Sequence, residues 1–131
     1  MTTAVGIGCR RGVEAAEILD LLARAWSRLG WSVAPAGLTL NTLARKVKEP
    51  GLVQAAATLG LPLLGLEEEA LRTVTTPSPS AAPGHDLPPV AEAAALAACG
   101  APQNPNARLI LARIQGPSST CAVACSEGIL S

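Results

Sequence analysis

The sequence predicts a three-layer α/β/α domain around a mostly parallel mixed sheet with a C-terminal β-hairpin. Short apolar runs alternate with segments of helical spacing, which is typical of α/β folds. Two strand-like runs near the C-terminus flank Gly116-Pro117-Ser118, which predicts an antiparallel hairpin. A chain of 131 residues is the usual length of one domain, so we expect a single domain over residues 1–131.

The first half of the chain reads as strand, helix, an ambiguous stretch and a second helix. Residues 3–8 suit a buried first strand, and residues 13–29 carry a wide apolar face at 3.6-residue spacing that ends at Gly30. We predict a linker over 31–37 and a short helix followed by a strand over 38–47, with the boundary left open. Pro50 opens a second helix that ends at Gly60.

The second half adds a strand, two helices and the hairpin. Residues 61–66 predict a third strand, and three glutamates at 67–69 begin a short helix that ends near residue 72 or 73. Residues 75–89 hold five prolines and predict a mobile loop. A helix follows over 90–99 with Gly100 as its cap, then a polar turn over 101–107 and strands over 109–114 and 120–125.

The composition excludes several classes of function. Lysines plus arginines number 10, as do the acids, so the chain lacks the basic excess of a nucleic-acid-binding protein. There is no Phe or Tyr for stacking bases, no polybasic patch, and no run of about 18 apolar residues that could span a membrane. The N-terminus does not read as a secretory signal, so we expect a cytoplasmic protein.

The four cysteines are predicted to be small core residues. Cys121 and Cys125 lie on one face of a predicted strand, about 13 Å apart, which is too far for a disulfide. The same distance is wrong for shared metal ligation without a turn, so we expect no metal site.

The segment 6–12 is the candidate site. A strand, a glycine turn and a helix place free N–H groups and the positive end of a helix dipole together, and Arg10 and Arg11 add charge. Glycines 6, 8 and 12 let a backbone approach closely, although glycine also serves turn geometry alone. The spacing is one residue off the dinucleotide fingerprint, and no acid follows the second strand, so no nicotinamide or flavin cofactor is expected.

Cys9 is a candidate nucleophile, because a helix N-terminus and two arginines would lower its thiol pKa. His85 could serve as its base, but it lies in the proline-rich loop, where an exposed histidine without a role is the alternative. Lys46, Lys48 and Glu49 form a charged turn that could equally be a solvated connection, and residues 75–80 offer hydroxyls in an extended loop that could equally be a flexible linker.

Four segments in order resemble one family. "GIGCRRG", "ARKVKEPGLVQAAATLGLPL", "PSPS" and "PPVAEAAALAACG" are similar to the cobalamin-biosynthesis protein CobE and the homologous C-terminal domain of CbiG, the cobalt-precorrin-5A hydrolase. The resemblance covers nearly the whole chain and implies an α/β domain that acts in corrin-ring assembly between tetrapyrrole methylations. Because Met1 stands just before the first motif, we expect the stand-alone CobE type of the aerobic pathway.

Two positions depart from the family pattern. The segment 43–46 is usually more strand-like, with an acid before the lysine, and Arg113 stands where a lysine is common. Lys46 and Glu49 match the family's lysine and glutamate.

The resemblance implies a ligand with carboxylates around an apolar ring, a precorrin or hydrogenobyrinic-acid-type tetrapyrrole. We expect cations and N–H groups to hold its rim and a loop to act as a lid. The predicted ligand-binding residues are Gly6, Gly8, Cys9, Arg10, Arg11, Gly12, Lys46, Glu49, Ser78, Ser80 and Arg113.

Three roles remain open at this point. The first is a binding or carrier protein that passes the tetrapyrrole between pathway enzymes. The second is a hydrolase or lyase that acts on the ring-contracted lactone or the extruded fragment, with Cys9 or Glu49 as the reactive group. The third is a structural partner of a pathway methyltransferase that has no ligand of its own.

Overall fold

The computed structural model describes residues 2–76 and 90–126. Within these ranges the chain forms five strands and four helices. In chain order they are β1 (Thr2–Cys9), α1 (Ala15–Leu29), β2 (Thr39–Leu43), α2 (Pro50–Leu59), β3 (Leu63–Leu66), α3 (Glu68–Arg72), α4 (Val90–Ala98), β4 (Ala107–Gln115) and β5 (Ser119–Ser126).

The strands form one sheet in the order β3-β2-β1-β5-β4. The β1–β2 and β2–β3 pairs are parallel, with Val5 opposite Leu40 in the first of them. The β1–β5 and β4–β5 pairs are antiparallel, with Val5 opposite Val123. Four of the five described strands therefore run in one direction and only β5 opposes them, which confirms the predicted mixed sheet and its C-terminal hairpin.

Helices cover both faces of the sheet, so the predicted three layers are confirmed. On one face α1 and α2 pack over alternate residues of β1, β2 and β5, and the buried side chains there include Val5, Ile18 and Leu40. On the other face α3 and α4 pack over the intervening residues, with Leu71 and Leu96 among the buried side chains. The alternation of apolar side chains between the two cores follows from the two-residue period of a strand.

Helices α1 and α2 begin and end close to where the sequence predicts. Glu14 is the N-cap of α1, and Gly30 ends the helix in the left-handed region with φ 72°. Pro50 is the first residue of α2, where its missing N–H would have no helical partner, and Gly60 ends it with φ 68°. Both glycines adopt a conformation that a Cβ atom would strain.

The prediction for residues 38–47 was wrong in its order, because the strand comes first. Strand β2 covers residues 39–43, and a 3₁₀ turn follows over Ala44–Lys46. The apolar pattern misled because Asn41 and Thr42 are polar yet buried. Their side chains donate to carbonyl oxygens of β1, Asn41 Nδ2 to Val5 O at 3.1 Å and Thr42 Oγ1 to Ile7 O at 2.7 Å.

The buried cysteines are core residues as predicted. Cys99, Cys121 and Cys125 are buried free thiols. Burial raises the pKa of Cys121 to about 12 and that of Cys99 to about 11. The thiols of Cys99 and Cys121 therefore remain protonated at neutral pH, and all three buried cysteines pack as small side chains in the core.

The two tryptophans meet where α1 ends. Trp26 lies in the last turns of α1 and Trp31 directly after the helix, and their rings pack edge to face with centroids 5.3 Å apart. Within the described ranges, no helix is both long and apolar enough to cross a membrane.

Candidate functional site

The carboxyl ends of β1, β2, β3 and β4 lie at the same end of the sheet, which we call the carboxyl edge. It comprises the turns that follow these strands, residues 10–14, 44–49, 67 and 116–118. In α/β sheets this edge is the usual place for a ligand. Most of the predicted site residues lie in or beside these turns.

Gly6 and Gly8 lie inside β1 and not in the turn, which corrects the sequence interpretation. A Cβ atom on Gly6 would lie 1.9 Å from the carbonyl oxygen of Ala91 and 2.6 Å from the amide nitrogen of Ala95, so α4 occupies the space that Gly6 leaves open. Gly8 lies beside the Thr120 hydroxyl and the Val90 side chain. The close backbone approach at Gly6 is therefore made by the protein's own helix.

The turn after β1 contains Arg10, Arg11 and Gly12, all of them exposed. Gly12 has φ 83°, which accounts for glycine at this position. Its N–H donates to Glu49 Oε1 at 2.7 Å, across 37 residues of sequence. The fold therefore brings Glu49 to the glycine turn, and one N–H predicted to be free is occupied by the protein's own carboxylate.

Cys9 and Lys46 come together at the same edge. Cys9 is half-buried and packs against the core under α1. The Lys46 ammonium lies close enough for its positive charge to lower the pKa of the Cys9 thiol. Burial raises the pKa of Cys9, and the carboxylates of Glu49 and Glu17 raise it further against the opposing effect of Lys46. The predicted lowering of the Cys9 pKa was wrong, because desolvation outweighs the nearby cation.

Arg113 lies apart from this group. It is half-buried on β4, and its backbone N–H donates to Glu92 Oε2 at 3.0 Å where the β4–β5 register shifts. Among the described residues, no hydrogen bond or ion pair joins Arg113 to Arg10, Lys46 or Glu49.

Glu17 and Glu92 are two carboxylates that the sequence reasoning did not single out. Glu17, in the first turn of α1, accepts hydrogen bonds from Ser118 N at 2.7 Å, Ser118 Oγ at 2.7 Å and Ser119 Oγ at 2.5 Å. These bonds lower the pKa of Glu17, with Ser119 the largest cause. Glu92 is fully buried near the start of α4. The sequence offers one signal for them, an acid in the first turn of each helix. Exposed helix N-termini often carry such acids too, so this signal does not distinguish a buried or hydrogen-bonded carboxylate.

Two cavities open at the carboxyl edge. One of about 220 Å³ lies between the end of β1 and the β4–β5 turn, and Cys9 and Arg10 are in its wall. The other, of about 340 Å³, lies at the ends of β2 and β3. Among the charged side chains in its wall, Arg45 and Arg72 each lie 3.5 Å from a Glu68 oxygen.

Ser78, Ser80 and His85 lie outside the described residues, as does the predicted loop apart from Thr75 and Thr76. Over residues 2–76 and 90–126, no three His, Cys, Asp or Glu side chains cluster so that they could hold a metal ion. The arrangement at the carboxyl edge can therefore be described from its cations, its carboxylates and one protonated thiol.

Chemically, this edge can bind anions. Arg10, Arg11 and Lys46 supply positive charge, the Gly12 turn holds a carboxylate through its N–H, and the Cys9 thiol is neutral. Charge-assisted hydrogen bonds between such groups and carboxylates are the stronger class of hydrogen bond in proteins.

A family model and several solved structures are similar to this chain. The family model described as "Cobalamin synthesis G C-terminus" matches residues 3–124. The solved structure of CobE, a protein from the cobalamin (vitamin B12) biosynthetic pathway, is 34% identical with a TM-score of 0.80, over 97% of this chain and 93% of that one. The cobalamin biosynthesis protein chiG from Agrobacterium tumefaciens str. C58 is also 34% identical, with a TM-score of 0.69 over 97% of this chain and all of that one (100%).

A more distant structure shares the fold. A cobalamin biosynthesis protein G homolog from Sulfolobus solfataricus is 24% identical with a TM-score of 0.68, over 97% of this chain and 37% of its own. The comparison with curated protein sequences gives no match. From the family match and the two structures at 34% identity, the chain belongs to the cobalamin-synthesis family defined by the C-terminal domain of CbiG.

Proposed function

We propose that this protein binds a precorrin-type or hydrogenobyrinic-acid-type tetrapyrrole at its carboxyl edge and carries it around the ring-contraction and methylation steps. Such ligands present several acetate and propionate carboxylates around an apolar ring. A protein that holds them needs cations and N–H groups that are not already neutralised by its own acids.

The observation that carries the proposal is that three cations at this edge are outside any ion pair in the described part of the chain. Arg10, Arg11 and Lys46 form no ion pair with another described residue. The arginines beside the neighbouring cavity, Arg45 and Arg72, are each paired with Glu68. The carboxyl edge thus carries three cations outside any ion pair within residues 2–76 and 90–126, although the whole chain has equal numbers of acids and bases.

The hydrogen bond from Gly12 to Glu49 also supports an anion-binding turn. The Gly12 N–H already holds a carboxylate oxygen at 2.7 Å. A ligand carboxylate that reached this turn would find the same donor, with Glu49 as its competitor. Glu49 therefore belongs to the site either as a group that the ligand displaces or as a group that faces the ligand.

The alternative role, a hydrolase or lyase, draws less support from the chemistry of Cys9. A thiol whose pKa is raised by burial is mostly protonated at neutral pH, and the protonated form is a poor nucleophile. For an enzyme, Glu49 remains the predicted reactive group.

Replacing both arginines tests the proposal. Absorbance titration of the protein with hydrogenobyrinic acid should give saturable binding, and Arg10→Ala combined with Arg11→Ala should weaken it by about tenfold or more. The effect should shrink as salt is added, because exposed charges are screened. Arg28→Ala, which removes a charge in the last turn of α1, is the matched control and should bind like the wild type.

Three results would count against this assignment. Equal affinity of the double variant and the wild type would remove the arginines from the site. Turnover of a ring-contracted intermediate that Glu49→Gln abolishes would favour the enzyme. No ligand affinity, together with co-purification with a pathway methyltransferase, would favour a structural partner.

A further inference from the structure

The smaller cavity at the carboxyl edge has a shape and lining that match one part of such a ligand. It measures about 220 Å³ and lies between the end of β1 and the β4–β5 turn. Pockets that enclose whole drug-sized molecules are larger, about 300–1,000 Å³. The cavity is therefore too small to enclose a tetrapyrrole ring, and its volume suits one carboxylate side arm of such a ring. The lining residues are Gly8, Cys9, Arg10, Gln115, Gly116, Pro117, Ser118, Ser119 and Thr120.

We propose that this cavity is the subsite for a single carboxylate arm of the ligand, with Arg10 as its ion-pair partner, Thr120 as its hydroxyl donor and Glu17 as the positioning residue that holds the wall. The assignment rests on the proposed function for the identity of the ligand. It goes beyond that function because neither Thr120 nor the β4–β5 turn belongs to the glycine segment.

Arg10 is fixed at the mouth of the cavity by its backbone. Its N–H donates to Ser118 O at 2.9 Å, and its carbonyl accepts from Val13 N at 3.2 Å. Its guanidinium pairs with no carboxylate among residues 2–76 and 90–126. The main chain is therefore held in place while the charged group stays available to an anion.

Thr120 provides the second donor. Its hydroxyl oxygen would lie 2.9 Å from a Cβ atom on Gly8, so glycine at that position leaves room for the hydroxyl. Thr120 is half-buried, and its side chain has no hydrogen-bond partner among the described residues. A half-buried hydroxyl in the wall of the cavity that Arg10 also lines is suited to orient a carboxylate oxygen.

Besides Arg10, the charged groups near the cavity include the carboxylates of Glu17 and Glu49, which oppose an anion, and the ammonium of Lys46, which favours one. The Cys9 thiol is protonated because burial raises its pKa, so it adds no negative charge. The oxygens of Glu17 accept three hydrogen bonds from Ser118 and Ser119. The Glu49 carboxylate accepts a hydrogen bond from Gly12 N–H, and the Lys46 ammonium lies near the Cys9 thiol, where its positive charge opposes that of the carboxylates.

Glu17 holds the β4–β5 turn, which forms one wall of the cavity, in position. Its carboxylate joins the first turn of α1 to the β4–β5 turn, and Gly116 passes so close that a Cβ atom there would lie 3.0 Å from Glu17 Oε2. Without these bonds the turn that carries Ser118 O, the acceptor for the Arg10 N–H, would be held to α1 by the bond from Arg24 Nη2 to Gln115 O at 3.1 Å and would lose its three bonds to Glu17.

Two probes test the subsite separately from the proposed function. The first is propionate, followed by NMR at the backbone amides of Gly8, Arg10 and Thr120. We expect saturable shifts that Arg10→Gln and Thr120→Val reduce. The second is hydrogenobyrinic acid, for which we expect about tenfold weaker binding by Arg10→Gln and about threefold to fivefold weaker binding by Thr120→Val. The fully methyl-esterified acid should bind wild type and both variants alike.

Conservative variants separate positioning from folding. Thr120→Ser keeps the hydroxyl and should restore wild-type affinity, and Thr58→Val, on the surface of α2, should leave affinity unchanged. Glu17→Gln should weaken the binding of hydrogenobyrinic acid and of propionate by the same factor. If Glu17 only stabilised the fold, this variant would lower the midpoint of urea unfolding and leave both affinities unchanged.

The outcomes distinguish the two ideas. If propionate shifts these amides but hydrogenobyrinic acid does not bind, the subsite stands and the proposed function fails. If hydrogenobyrinic acid binds with unchanged affinity to Arg10→Gln and Thr120→Val, and propionate leaves the amides unmoved, the subsite is overturned. If neither probe binds, both are overturned.

Discussion

The carboxylate of Glu17 shows how one side chain links distant parts of this chain. Its partners Ser118 and Ser119 lie 101 and 102 residues away in sequence. Their hydrogen bonds favour the ionised carboxylate, so the pKa of Glu17 is lowered in the folded protein. The fold and the charge state of Glu17 are therefore coupled.

This coupling predicts a change of stability with pH. The pKa of Glu17 in the folded protein is below the ordinary glutamate value of 4.5. Its contribution to the free energy of unfolding is therefore fully present above pH 4.5. It is lost as the pH falls through the folded pKa. Glu17→Gln should therefore be less stable than wild type at pH 7, by about 1 kcal/mol after solvent screening, and the difference should shrink in acid.

Urea unfolding at a series of pH values checks this expectation. Glu14→Gln is the matched control, because Glu14 is an exposed acid at the same end of α1 and its side chain makes no capping hydrogen bond. The same pH dependence for both variants would contradict a specific role for Glu17.

The residues of the candidate site were only partly predictable from sequence. Cys9, Arg10, Lys46 and Glu49 do come to one edge, because they follow parallel strands. The contact of Glu49 with Gly12 and that of Glu17 with Ser118 join residues far apart in sequence, and no local pattern encodes such pairs.

At the scale of elements, the packing of α4 on β1 depends on one glycine. Gly6 faces the backbone of α4 at Ala91 and Ala95, where a methyl group has no room. The sequence interpretation assigned this glycine to a ligand, because a missing side chain does not reveal which neighbour fills the space. Elements with conventional boundaries, such as α1 and α2, were predicted well because Gly30, Pro50 and Gly60 act locally.

Gly6→Ala should therefore destabilise the protein by about 3 kcal/mol, since the added methyl would push α4 from the sheet. Gly8→Ala is the matched control. The nearest atom to its new methyl is the Thr120 hydroxyl oxygen, which can rotate away, so the loss should be smaller. Urea denaturation of both variants measures the difference, and equal losses would show that α4 does not determine the need for glycine at position 6.

At the scale of the whole molecule, β1 joins the two halves of the sheet. It pairs with β2 on its parallel side and with β5 on its antiparallel side. Strands β3 and β4 lie at the edges, and β3 has only four residues. Strand β1 therefore loses a neighbour whichever half of the sheet opens.

The rates of amide hydrogen exchange should depend on the position of each strand in the sheet. Amides of β1 should exchange with the global unfolding free energy, whereas amides of β3 should exchange at least about tenfold faster through local opening. Exchange followed by NMR at two pH values, with β2 as the internal reference, measures this directly. Amides of β3 as slow as those of β1 would mean that the sheet opens only as a whole.

The edge-to-face pair of Trp26 and Trp31 has a practical consequence for the study of this molecule. The chain contains two tryptophans and no tyrosine, so its intrinsic fluorescence comes from this pair alone. The pair lies near the end of a 15-residue helix, about 20 Å along α1 from the carboxyl edge. A coloured macrocycle bound there would quench the emission by energy transfer across the domain, while unfolding would shift the emission wavelength, so one optical signal distinguishes occupancy from denaturation.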